Sequence, residues 1–151
     1  MGRSRAVLGI GISGLLLGVA LATAALAPDV VKALETDKHV YIATQRADGT
    51  RSDAAPVWFT WDGTNVWTTT APGSWKAKRI AKGSPVFVNV GTKDGPGFEG
   101  TAEIVTDPAQ AAKMAPAYDE KYWISWIGFF RPRPERVQAG KTLILKITPA
   151  S

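Results

Sequence analysis

The chain has 151 residues, 45% of them hydrophobic and 21% charged. That length holds one domain, two at most, and the apolar share is that of a globular protein rather than a disordered one. There is no Cys and a single His, which excludes disulfides, thiolate metal sites, Cys nucleophiles and a multi-His metal site. The net charge is +5; without Arg3 and Arg5 the remaining 16 basic and 13 acidic residues leave +3. A mild excess without a dense basic stripe argues against a nucleic-acid partner and suits a small acidic ligand such as a phosphate.

Two arginines in the first five residues precede 22 uncharged residues, Ala6 to Ala27. This pattern reads as an export signal, with Ala22-Thr23-Ala24 as the better cleavage site, or as a membrane anchor through residues 6–27 if uncleaved. A start codon placed upstream of the true one is a further reading. Arginines ahead of the span place the folded part on the outer, extracytoplasmic side. The expected division is 1–27 for targeting or anchoring and 28–151 for the folded domain.

Pro28 to Thr36 reads as a two-turn helix. His39 to Arg46 is a β-rich alternating run, Asp48-Gly49 a hairpin turn, and Ala54 to Trp61 the return strand. Asp62-Gly63 is a second hairpin turn before Asn65 to Thr70, so three strands form an antiparallel meander. Ser74 caps a basic helix carrying Lys76, Lys78, Arg79 and Lys82, which Gly83 ends. Strands follow at Pro85 to Gly91 and Phe98 to Thr106. A longer helix opens at Asp107-Pro108 and runs towards Gly128, kinked or split at Pro116. Phe129 to Gly140 reads as loop and Thr142 to Thr148 as the last strand. Six short antiparallel strands in this length are better served by a small closed barrel than by an open sheet with exposed edges, so the fold is mainly β.

The stretch from Thr68 to Lys78 carries the chemistry. A strand ends in hydroxyls, a Pro-Gly turn follows, and a helix opens with Ser74 and then cations. The backbone N–H groups of Gly73 to Lys76, the Ser74 hydroxyl and the Lys76 ammonium could converge as a phosphate cradle. The same residues also read as an ordinary capped helix with a solvated basic face.

The spelling Thr70-Ala71-Pro72-Gly73-Ser74-Trp75-Lys76-Ala77, followed by Ser84-Pro85-Val86-Phe87-Val88, resembles the flavin-binding split barrel of the pyridoxamine-phosphate-oxidase-like superfamily. Pro56-Val57-Trp58-Phe59 resembles a "PVWF" strand of the branch that includes deazaflavin-dependent reductases. Thr44 to Gly49 and Gly100 to Val105 are similar to further motifs of that branch, and the likeness covers Val30 to Thr148. The resemblance implies a six-stranded antiparallel split barrel, a homodimer, and a cofactor between its two subunits. It puts Thr69, Thr70, Ser74 and Lys76 at the phosphate and ribityl end, and Pro56, Val57, Trp58 and Phe59 along the ring. Trp75 stands where the classical oxidases have an Arg, leaving Lys78 or Arg79 to replace that contact. The second strand lacks their cationic run, and the chain has no room for their separate C-terminal ligand segment, so pyridoxamine phosphate is not the expected substrate.

The expected function is an oxidoreductase that moves a hydride between FMN, or alternatively a deazaflavin, and a small-molecule substrate. The other reading is a non-catalytic barrel that binds a flavin, a haem-derived or a lipid-like ligand. His39 reads as a surface or capping residue, and Asp119-Glu120 as a solvated face. Tyr122, Trp123, Trp126, Phe129 and Phe130 read as core and interface, as a pocket wall, or as a bilayer contact. Arg131-Pro132-Arg133-Pro134 reads as a stiff connector that could reach an acidic substrate or lipid headgroups.

Overall fold

A computed structural model of the chain describes residues 25–123 and 131–150. In chain order the elements are α1 (Pro28–Thr36), β1 (Val40–Thr44), β2 (Ala55–Val57), β3 (Thr60–Trp61), β4 (Val66–Thr70) and α2 (Trp75–Ala81). They continue with β5 (Pro85–Val90), β6 (Gly97–Val105), α3 (Pro108–Lys121), α4 (Pro134–Gln138) and β7 (Leu143–Pro149). The seven strands form one antiparallel sheet in the order β2-β1-β5-β6-β7-β4-β3.

That order explains the curl. β2 and β3 lie on opposite edges of the sheet, yet only Trp58 and Phe59 separate them in sequence. The two edges must therefore meet, and the sheet rolls into a barrel whose seam is this dipeptide. The expected strand Ala54 to Trp61 is thus corrected to two: its first part pairs with β1 (Val40↔Val57) and its last part with β4 (Thr60↔Trp67). This makes seven strands instead of six. Both Asp-Gly turns sit where expected, since Gly49 N–H reaches Arg46 O at 2.9 Å and Asp62 N–H reaches Asn65 O at 3.2 Å.

Alternation along the strands builds the core. β5 buries Val86, Val88 and Val90, and these pack inside the barrel with Val40, Ile42, Phe59, Val66, Leu145 and Ile147. α1 closes this core with Val30 and Leu34. A second core lies between the sheet and the α3–α4 layer, where Ala111, Met114, Tyr118 and Tyr122 meet Val137 and Ile144, with Trp58 and Trp67 against them.

Two helical expectations change. α3 runs through Pro116 without splitting and ends at Lys121, where Tyr122 takes an extended conformation (φ −123°, ψ 100°). The expected loop Phe129 to Gly140 contains α4, started by Pro134 at its first position and held by buried Val137. Trp126, Phe129 and Phe130 lie outside the described residues, as does most of the 6–27 segment. Among the described residues no helix is long and apolar enough to cross a membrane.

Candidate functional site

The seam leaves backbone groups without ladder partners, and buried polar groups of that kind must be paired. α3 supplies the pairing. Tyr118 donates its hydroxyl to Trp58 O (2.9 Å), which also accepts from Thr68 Oγ1 (2.6 Å). The Tyr122 hydroxyl accepts from Phe59 N–H (2.9 Å) and shares its own proton between Phe59 O (2.9 Å) and Lys38 O (2.8 Å). The Trp58 ring stacks on the Tyr122 ring, with centroids 4.2 Å apart and planes 1° from parallel. Burial pushes both tyrosine hydroxyls well above the usual range, so they act as neutral hydrogen-bonding groups. Phe59 points the other way, into the barrel, with Lys121 Nζ 3.2 Å from its ring centroid. Burial, with the charge of Lys38 second, lowers the Lys121 ammonium to about 8.

Outside the seam lies a cleft of about 830 Å³, within the range of roughly 300–1,000 Å³ common for small-molecule sites. One wall is Pro56, Val57 and Trp58, and the floor is Thr68, Thr69, Thr70 and Ala71 of β4 and the turn after it, with Tyr118 beside them. The far wall comes from the α4 region: Arg131, Pro132, Arg133, Arg136, Lys141 and Thr142. His39 sits at the end near Val57. Among the described residues the lining holds no carboxylate. Arg131 is held outside that balance by Asp119, which accepts from its Nε (3.0 Å) and Nη2 (2.9 Å). Asp119 is therefore an ion-pair partner and not part of a bare acidic face.

The structure brings Pro56, Val57, Trp58, Thr69 and Thr70 together in this cleft, and leaves Phe59 behind the seam. Ser74 touches the cleft only through Thr70, whose Oγ1 lies 3.0 Å from Ser74 Oγ. The Ser74 hydroxyl caps α2 by accepting Ala77 N–H at 3.1 Å. Lys76 lies in a separate pocket of about 280 Å³ with Arg46, Asp53 and Arg79, where burial lowers its ammonium. Lys78 is exposed on α2, its Nζ 4.8 Å from the Trp75 ring centroid. Among the described residues Trp75 and Trp123 are the exposed large apolar side chains, at 68% and 80%.

The cleft residues that sequence reasoning missed are Tyr118, Arg136, Lys141 and Thr142. Their one signal was a density of cations from Arg131 to Lys141. Tyr118 is placed by α3 packing on the seam, and the others by the pairing of β7 with β4, which no local pattern states.

The antiparallel sheet, its two edges joined by the seam, with a helix pair outside and a cation-walled cleft, defines a split β-barrel. The profile of the pyridoxamine 5'-phosphate oxidase family matches residues 26–151, and the chain belongs to that family. No curated protein matches it. Among solved structures it is similar to an F420 reductase (24% identity, 80% of this chain and 92% of that one, TM-score 0.54). It is also similar to a pyridoxamine 5'-phosphate oxidase-like protein from Listeria innocua (18%, 81% and 91%, 0.59). A third is the FAD and haem binding protein from Mycobacterium smegmatis (20%, 83% and 68%, 0.60).

Proposed function

We propose that the protein binds a flavin-type cofactor in the seam cleft and acts as an oxidoreductase on a small molecule. The observation that carries this is the meeting of Pro56–Trp58 with Thr69 and Thr70 of β4 on one cleft. A flat, mainly apolar wall beside a hydroxyl row and a cationic wall suits a ligand with an aromatic ring, a polyol and an anionic end. The F420 reductase and the FAD and haem binding protein among its structural neighbours support the same class. The bound cofactor supplies the two-electron chemistry. Pro56–Trp58 then orient the ring, Tyr118 and Tyr122 hold that wall in place, and Thr69 and Thr70 bind the polyol.

FMN and a deazaflavin are the two candidates. The PVWF spelling and the F420 reductase favour the deazaflavin, and an outer-face location favours FMN. The second reading, a barrel that binds without turnover, is supported by the neighbour named for binding alone. Residues 1–27 are proposed as an export signal or anchor, 28–151 as the barrel, and exposed Trp75 and Trp123 as anchors for a homodimer.

The test is native mass spectrometry and absorbance of protein purified from its own host, followed by addition of NAD(P)H or a reduced deazaflavin. A bound chromophore that cycles supports the enzyme. A tight chromophore that does not cycle supports the binding module. No flavin or deazaflavin, even after reconstitution, refutes both.

A further inference from the structure

The seam has two sides. Trp58 lines the cleft, whereas Phe59 turns into the barrel and lies wholly out of solvent. Lys121, the last residue of α3, reaches over this inner side, half-buried, with its Nζ 3.2 Å from the Phe59 ring centroid.

Lys38 closes the position from the link between α1 and β1. Its Nζ donates to Lys121 O at the open end of α3. It stands 5.7 Å from the Tyr122 ring centroid, the same distance as Lys121 Nζ. Two ammonium groups therefore flank one ring. Among the described residues no carboxylate pairs with Lys121, the ion pairs being Arg46–Asp53 and Arg131–Asp119. Asp37, the acid next to Lys38, acts on Lys121 from beyond ion-pair distance. Residues 124–130 include no charged side chain, so the chain that follows supplies no counterion. An ammonium so placed has lost water and met a like charge. The ring face attracts it but replaces part of its hydration at most. These neighbours favour the free amine, and burial, with the charge of Lys38 second, lowers the ammonium to about 8.

We propose that Lys121 is a nucleophilic amine and a site of acylation by small acyl phosphates. The Nζ lone pair forms a bond to the acyl carbon, and the bond from that carbon to the phosphate oxygen breaks. Phosphate leaves with the electron pair, and the amine proton passes to water. Lys38 suits this donor, because its ammonium is fixed to the same residue and can meet the charge of the leaving phosphate. The product is a neutral amide, which removes the unpaired charge from the Phe59 ring. The site lies behind the seam and does not depend on what the cleft binds.

At pH 7 about one amine in ten is free at a pKa of about 8, against about three in ten thousand at 10.5, a ratio of about 300. Lower basicity weakens the nucleophile and returns about half of that gain on a logarithmic scale, leaving about twentyfold. By pH 10 an ordinary lysine is also substantially free, and the advantage is gone.

The test is site-resolved mass spectrometry of the full chain treated with acetyl phosphate, with Lys113, exposed on the same helix, as the internal reference. At pH 7 Lys121 is expected to be acetylated about twentyfold faster than Lys113. At pH 10, and at pH 7 in denaturing urea, the preference disappears. Lys38→Gln, at an exposed position and shown to be folded by circular dichroism, slows Lys121 severalfold and leaves Lys113 unchanged. Equal rates in the folded protein at pH 7, a preference that survives in urea or at pH 10, or one that Lys38→Gln leaves untouched overturns the proposal.

Discussion

Removing one oxygen from Tyr122 tests the seam most directly. Tyr122→Phe keeps the ring stacked on Trp58 but deletes the acceptor of Phe59 N–H, and Phe59 is fully buried. An unsatisfied buried donor costs about 1–3 kcal/mol, so the expected loss is about 2 kcal/mol. Tyr118→Phe is the internal control. It removes a donor from Trp58 O, but Thr68 Oγ1 still serves that carbonyl at 2.6 Å, so only a net hydrogen bond of about 1 kcal/mol is lost. At roughly 4 °C per kcal/mol for a domain of this size, Tm falls by about 8 °C and about 4 °C respectively. The assay is urea unfolding followed by tryptophan fluorescence, with an unchanged m-value as the sign that both states keep their extent. A Tyr122→Phe loss under about 0.5 kcal/mol, or equal losses in the two variants, would refute the reasoning.

Three more outcomes are expected. A Cβ built on Gly100 meets Thr148 O at 2.4 Å across the β6–β7 pair, so Gly100→Ala should cost on the order of 1–3 kcal/mol in thermal or urea unfolding. Ser74→Ala removes the cap of α2 and should cost about 1 kcal/mol by the same measurement. Lys121 has its folded-state pKa lowered from 10.5 to about 8, so above pH 8 the unfolded chain holds the proton more tightly and this residue's contribution to stability rises with pH. Lys121→Gln should flatten that rise when urea midpoints are compared between pH 7.5 and 9.5; parallel profiles would show that Lys121 is not desolvated.

What local chemistry dictates was readable beforehand. Asp48-Gly49 and Asp62-Gly63 demand turns, Ser74 demands a helix start, and the valines of β5 alternate. The break at Trp58-Phe59 was not readable, because every residue from Val57 to Trp61 favours a strand and the break comes from pairing with two different edges. α4 was hidden because five residues carry little helical signal; Val137 burial and the Gly140 reversal stabilise it from outside the local pattern. In the site, Pro56–Trp58 and Thr69–Thr70 were found through their spelling. Arg136 and Lys141 reach them only through the β4–β7 pairing, which joins residues far apart in the chain.

The strand made last is also an internal one: β7 stands between β6 and β4. Until it is synthesised, the nascent chain holds two pieces with no ladder between them, β2-β1-β5-β6 and the small β4-β3 hairpin, each with an open edge. A two-stranded piece is marginal by itself in water, and the tyrosines that close the seam also come late, at positions 118 and 122. Barrel closure is therefore a post-synthetic event of high contact order, slow relative to helix formation. A chain whose barrel cannot close before its last strand arrives keeps two ladder edges open throughout its synthesis, the very surfaces on which it could pair with another copy of itself.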